Sequence, residues 1–348
     1  MIYSTLNIMR VVMHKIIPKR TGIDEHVEIE ATEHLVELDN SIKDIIKKRL
    51  IDSCGRQGKS FLLGIRNVEE SSCFSLVKNL GSMSDADFLN QSVAIAELLA
   101  SAQDKRNSIP GGYFILVDAC KPDGLPVYII LKAEKQDALS EIENSVRAAQ
   151  NIFLSPAQKM YKAGIFEQTG VADELTQAHF NAYLFDSQFN NGTRLAEYFY
   201  KDFLGLTIEG NSEVQTRMFY DSFSSAITTI YKENVDVRNE CFNLLQAEMN
   251  NQERSIDPSD VIHRIVPEGQ RDEFISKVGS RFPNPFIKDR QLLQRKLSNK
   301  SMYLTSSIRI LAPSISFDND VITISDDEND PTIKIVRIRT QTVNDEEH

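Results

Sequence analysis

The chain has 348 residues, 41% hydrophobic and 26% charged, with 39 basic against 50 acidic side chains and a formal net charge of −11. That length admits two domains, or one large domain with an appendage, and no apolar run reaches the roughly 18 residues a membrane-spanning helix needs. The acidity, taken alone, argues against a protein that coats nucleic acid, and four scattered cysteines (Cys54, Cys73, Cys120, Cys241) without a C-x-x-C pair fit a reducing cytoplasm rather than a disulfide framework.

In chain order, residues 9–17 read as a strand ended by Pro18, and this N-terminus resembles a first strand more than a signal peptide. Leu35, Leu38, Ile42, Ile45, Ile46 and Leu50 predict an amphipathic helix over 34–51. Residues 53–82 are Gly- and Ser-rich with a short apolar piece at 61–63, and within them Gly55 to Ser60 reads as a flexible connector. Ser84 to Asp87 has the form of a capping box, and Phe88, Ser92, Ile95, Ala96 and Leu99 then share a helical face up to about Lys105. From Gly111 to Lys132, two runs rich in β-branched and aromatic residues flank Pro122-Asp123-Gly124. Pro presets the first turn angle and Gly accepts positive φ, so this is the strongest hairpin signal in the chain. Both runs are almost continuously apolar, which predicts a central pair covered on both faces.

A helical stretch is predicted over 137–150, strands over 159–166 and 183–186, a turn at 190–193, and a helix carrying Leu195, Ala196, Phe199 and Phe203 that stops at Gly205. The nearby Tyr198 and Tyr200 read as core rather than as a base-stacking platform. Helices follow from Ser212, over 235–249 and over 268–278, and Phe219, Phe223, Ala226, Ile227 and Ile230 repeat at helical spacing. Pro283 and Pro285 break the chain before a predicted basic helix over 287–297. The period then falls to two, with strands predicted over 307–311, 315–317, 321–324 and 332–338 and a bulge where the apolar phase switches between Ile335 and Val336. Residues 341–348 read as frayed. The fold class is α+β: an N-terminal sheet with a central hairpin covered by helices (1–208), then a helical region with a basic helix and a small β-unit (209–348).

Catalytic motifs fail on spacing. Gly55 to Ser60 lacks the first glycine of a phosphate loop, because Ser53 stands there. Pro122-Asp123 and Lys132 resemble a nuclease metal site only loosely, since Ile130 occupies the place of the second acid; Asp123 is read as a turn residue and Lys132 as a snorkelling strand end. The six histidines show no paired ligand spacing, and His14 reads as structural. No catalytic residue, metal or cofactor is expected.

Charge is distributed unevenly. Between Arg281 and Arg309 the chain carries Arg281, Lys288, Arg290, Arg295, Lys296, Lys300 and Arg309 against Asp289 alone, a local +6 that leaves −17 elsewhere. On a helix, Lys288, Gln291 and Arg295 would share one face and Phe286, Leu293 and Leu297 another.

Several blocks together resemble the bacterial nucleoid-associated protein family of the NdpA/YejK type. They are Tyr113 to Asp118, Tyr183-Leu184-Phe185, Arg194 to Gly205 with its Y-F-x-x-F-L-G ending, and the C-terminal unit from Phe286 to Ile338. The resemblance implies a bacterial, cytoplasmic protein located at the nucleoid, binding double-stranded DNA without an established enzymatic activity. With it, the seven basic residues become the expected phosphate contacts, read without sequence preference, and a homodimer would double the patch. The competing expectation is a protein-interaction adaptor of DNA-topology, chromosome or phage-defence machinery with no direct DNA affinity. The acidic turn 326–330 and tail 345–347 would repel a duplex.

Overall fold

The computed structural model describes residues 3–19, 26–54, 60–106, 109–133, 160–190, 195–304, 308–327, 329–330 and 333–339. The predicted helix over 137–150, the core of the turn 190–193, residues 55–59 of the failed phosphate loop and the tail 341–348 lie outside them. The chain forms two compact units, Met1–Asn211 and Ser212–His348.

The first unit is built on an eight-stranded antiparallel sheet. Its strands are β1 (Asn7–Ile17), β2 (Glu28–Glu30), β3 (Ser60–Ile65), β4 (Gly112–Cys120), β5 (Pro126–Ala133), β6 (Met160–Gln168), β7 (Phe180–Asp186) and β8 (Leu206–Thr207), in the spatial order β2-β1-β4-β5-β6-β7-β3-β8. The β4–β5 hairpin sits inside it. Its turn closes by Lys121 N–H donating to Leu125 O at 2.9 Å, with Gly124 at φ 84°. Successive side chains alternate between faces, and both faces are covered. Ile115, Val117, Ala119, Val127, Ile129 and Leu131 meet Ile42, Ile46, Leu50 and Cys54 of α1 (Asn40–Cys54). On the other face lies α3 (Asp85–Asp104), reached after the short α2 (Cys73–Val77), with Phe88, Ile95, Ala96 and Leu99 fully buried. The Ser84 hydroxyl accepts from Asp87 N–H at 3.2 Å and caps α3 as its sequence requires.

Three departures from the sequence reading have local causes. α1 starts six residues late because Asp39 Oδ1 accepts from Ile42 N–H at 2.7 Å, while Val36 N–H is drawn to Val11 O at 2.8 Å. The Gly- and Ser-rich stretch 53–82, to which the sequence assigns no regular element, contains β3, which pairs with β7 from Ser60↔Phe185 to Leu63↔Ala182, and α2, whose Cys73, Phe74 and Val77 are core. Residues 198–203 form a π-helical turn (Tyr198–Phe203) rather than an α-helix, with Leu204 N–H bonded to Phe199 O at 3.0 Å. All four of its aromatic side chains are buried, and Gly205 terminates it at φ 68°.

The α3 side of the sheet holds a band of buried polar groups. His14 accepts at Nδ1 from Thr32 N–H (3.1 Å), so its Nε2 carries the proton and donates to Ser92 Oγ (2.8 Å). Lys162 Nζ donates to Asp186 Oδ1 at 2.9 Å, both side chains being essentially inaccessible to solvent. The same carboxylate accepts from Gln188 N–H at 3.0 Å, in the one-turn α4 (Ser187–Asn190), and from Ala196 N–H at 3.2 Å. It ties together β6, β7 and the re-entry of the chain. Lys132 does not snorkel. It is fully buried, donates to Pro110 O at 3.0 Å and lies 5.8 Å from the Tyr198 ring. Asp123 does make the turn, accepting from Leu125 N–H at 3.0 Å.

The second unit packs α5 (Ser212–Ile230), α6 (Val235–Asn250), α7 (Pro258–Ile265) and α8 (Arg271–Lys277) around an aromatic core. Phe219 lies 5.5 Å from Phe282 and 5.7 Å from Phe286, and Phe223 lies 5.2 Å from Phe274. Two short strands, β9 (Ser255–Ile256) and β10 (Phe286–Ile287), pair beside it. Beyond α9 (Gln294–Leu297), β11 (Asn299–Tyr303) pairs with β12 (Arg309–Pro313), and β13 (Ile322–Asp326) pairs with β14 (Lys334–Ile338). The stretch expected as a strand at 315–317 is instead α10 (Ser314–Asp318). No bulge interrupts β14: Ile335 and Val336 sit in unbroken register opposite Ser325 and Ile324.

Candidate nucleic-acid interface

A continuous basic helix over 287–297 does not form. Phe286 is fixed in the core and Ile287 pairs with Ser255, so the segment leaves the prolines as a strand. Asp289 Oδ1 then accepts from Gln291 N–H at 3.0 Å, and a 3-10 turn (Gln291–Leu293) leads into the one-turn α9. Leu293 and Leu297 are buried, as their spacing required. Lys288 and Arg295 therefore do not share a helical face.

The seven basic side chains meet different surroundings. Lys288 is half-buried, and its Nζ donates to Glu248 O (3.0 Å), Asn251 O (3.1 Å) and the Asn251 side-chain oxygen. It thereby caps the C-terminus of α6, where the helix dipole favours a cation. Burial pushes the Lys288 ammonium below the usual lysine range, against the opposing pull of Glu248. Lys296 donates to Asp221 Oδ1 at 2.5 Å, a carboxylate that Arg217 Nε also meets at 3.1 Å. Arg290 is exposed and touches Asn250 only at 3.4 Å. Arg295 is exposed, and its guanidinium has no hydrogen-bond or ion-pair partner among the described residues. Lys300 on β11 stands 5.7 Å from the Phe317 ring, and Arg309 on β12 stands 5.5 Å from the ring of its cross-strand neighbour Tyr303. Arg281 is exposed in a 3-10 turn (Gly279–Arg281).

An open cleft of about 590 Å³ lies at the end of α6, lined by Asn250, Asp289, Arg290, Gln291, Gln294, Leu297 and Ser298. A guanidinium, three amides and a hydroxyl offer the donors that phosphate oxygens and sugars accept from, and amides also match base edges. The one carboxylate, Asp289, is occupied in part by its own turn. Charge counting finds Arg290; the amides carry no charge signal and come together only because α6 ends beside α9. Among the described residues no group of three His, Cys, Asp or Glu side chains is placed to hold a metal ion, and no helix is long and apolar enough to cross a membrane.

A family model for nucleoid-associated protein YejK matches residues 12–340. The chain belongs to this family. No curated protein matches it. The match spans both units, and association with the bacterial nucleoid comes with membership.

Proposed function

We propose that this member of the family is a non-enzymatic protein that binds double-stranded DNA directly, with little sequence preference, through the basic surface of its C-terminal unit. The observation that carries the reading is the pair of exposed guanidiniums, Arg290 at the rim of an amide-lined cleft and Arg295 one turn beyond it. Arg281, Lys300 and Arg309 supply further charge, while Lys288 and Lys296 shape the surface through their internal partners. Phosphate contacts of this kind orient a protein on the duplex without reading sequence. A homodimer would double the patch.

The test is binding of the purified protein to a labelled random-sequence duplex across a salt series, beside Arg290→Ala/Arg295→Ala. Two lost phosphate contacts make the plot of log affinity against log salt shallower by about 1.8. Absence of binding at low salt refutes the reading and directs the search to an adaptor role with protein partners.

A further inference from the structure

The β13–β14 hairpin follows the basic segment in the chain and carries charge of its own. The register pairs Thr323 with Arg337 and Ser325 with Ile335, so these four share one face. Arg339 continues that face, its N–H held by Val321 O at 2.8 Å. The opposite face carries Ile322, Ile324, Val336 and Ile338, together with Asp326 and Lys334. The hairpin thus separates into a cationic, hydroxyl-bearing side and an apolar side.

Three observations bear on what the cationic side meets. Arg337 and Arg339 are exposed, and neither guanidinium has a partner among the described residues. Two residues apart on one strand, they are spaced by about 7 Å, the scale on which successive phosphates recur along one nucleic-acid strand. The acidic turn is also less of an obstacle than its composition suggests. Asp326 points to the apolar side and pairs with Lys334, and Asp327 Oδ1 accepts from Asn329 N–H (2.9 Å) and Asp330 N–H (3.1 Å) within its own turn. Asp320, in the turn before β13, is the exposed carboxylate at the arginine end of the hairpin.

We propose that the β13–β14 ribbon is a second phosphate-contacting surface, with Arg337 and Arg339 gripping one backbone strand of a duplex while Thr323 and Ser325 donate to its oxygens. A guanidinium suits this role through its fork of donors, and a two-stranded ribbon is narrow enough to follow a duplex groove. The inference rests on the DNA-binding reading above and adds residues to it.

The experiment compares the full chain with Arg337→Gln/Arg339→Gln and Arg337→Lys/Arg339→Lys in the same duplex salt series. The Gln variant is expected to lose about 1.8 from the salt slope, so that between 50 and 200 mM salt its affinity falls about 12-fold less than that of the parent protein. The Lys variant keeps the parent slope, because it keeps the charge. Parent-like slopes for the Gln variant overturn the ribbon proposal and leave the DNA-binding reading standing. Equal losses for Lys and Gln also overturn it, since they mark a structural role. No binding by the parent protein removes the reading underneath and the ribbon with it.

Discussion

Replacing Lys288 by Met separates a structural lysine from a phosphate-binding one. The side chain keeps its length and apolar stem but loses the ammonium that donates to Glu248 O, Asn251 O and the Asn251 side chain. A charged hydrogen bond contributes about 1.5–3 kcal/mol when its partner is left unsatisfied, and a cation at a helix C-terminus adds about 0.3–1 kcal/mol. Lys288 is only half-buried, so water reaches the abandoned carbonyls and recovers much of this. The expected loss is about 2 kcal/mol for the C-terminal unit, a shift of about 1 M in urea midpoint at a slope of about 2 kcal/mol/M. The salt slope of duplex binding should not change. Unchanged stability together with a slope shallower by about 0.9 would refute the argument and make Lys288 a phosphate contact.

Asp186→Ala strands the buried Lys162 ammonium with Gln188 as its remaining side-chain partner among the described residues, and should destabilise the first unit by about 3–5 kcal/mol in urea unfolding; a loss below about 1 kcal/mol would show that water reaches the lysine. His14 is held by burial at about 4, below the ordinary 6.5. The unfolded chain therefore takes up a proton that the folded chain refuses, and stability that is complete above pH 6.5 declines by up to about 3 kcal/mol as pH falls towards 4. Urea midpoints at pH 7 and 4.5 check this, and a pH response identical in His14→Gln would rule His14 out as its source. Gly164→Ala places a Cβ 2.5 Å from Leu204 Cδ1 and 2.9 Å from Cδ2. Overpacking there should cost about 1–3 kcal/mol, and a neutral result would mean that Leu204 has room to rotate away.

Local chemistry determined the β4–β5 hairpin, the Ser84 cap and the apolar faces of α3 and α5. The turn residues, the capping hydroxyl and the apolar period act within a few residues of one another, so the sequence displays them directly. Composition also showed that positive charge concentrates between Arg281 and Arg309. It could not show which cations meet solvent. Lys288 reaches carbonyls 37 and 40 positions away and Lys296 a carboxylate 75 positions away, and only the packing of α5, α6 and β10 brings those groups together. The same reason hid β3 and α2 inside a Gly- and Ser-rich stretch. A strand of six residues joins the sheet by pairing with β7 far along the chain, and Phe74 becomes core by meeting Phe180 at 5.3 Å. Helical spacing at 287–297 yielded to tertiary structure because Ile287 pairs with β9 and Lys288 is held at the end of α6. Spacing is a preference of the segment alone, and the long-range hydrogen bonds outweigh it.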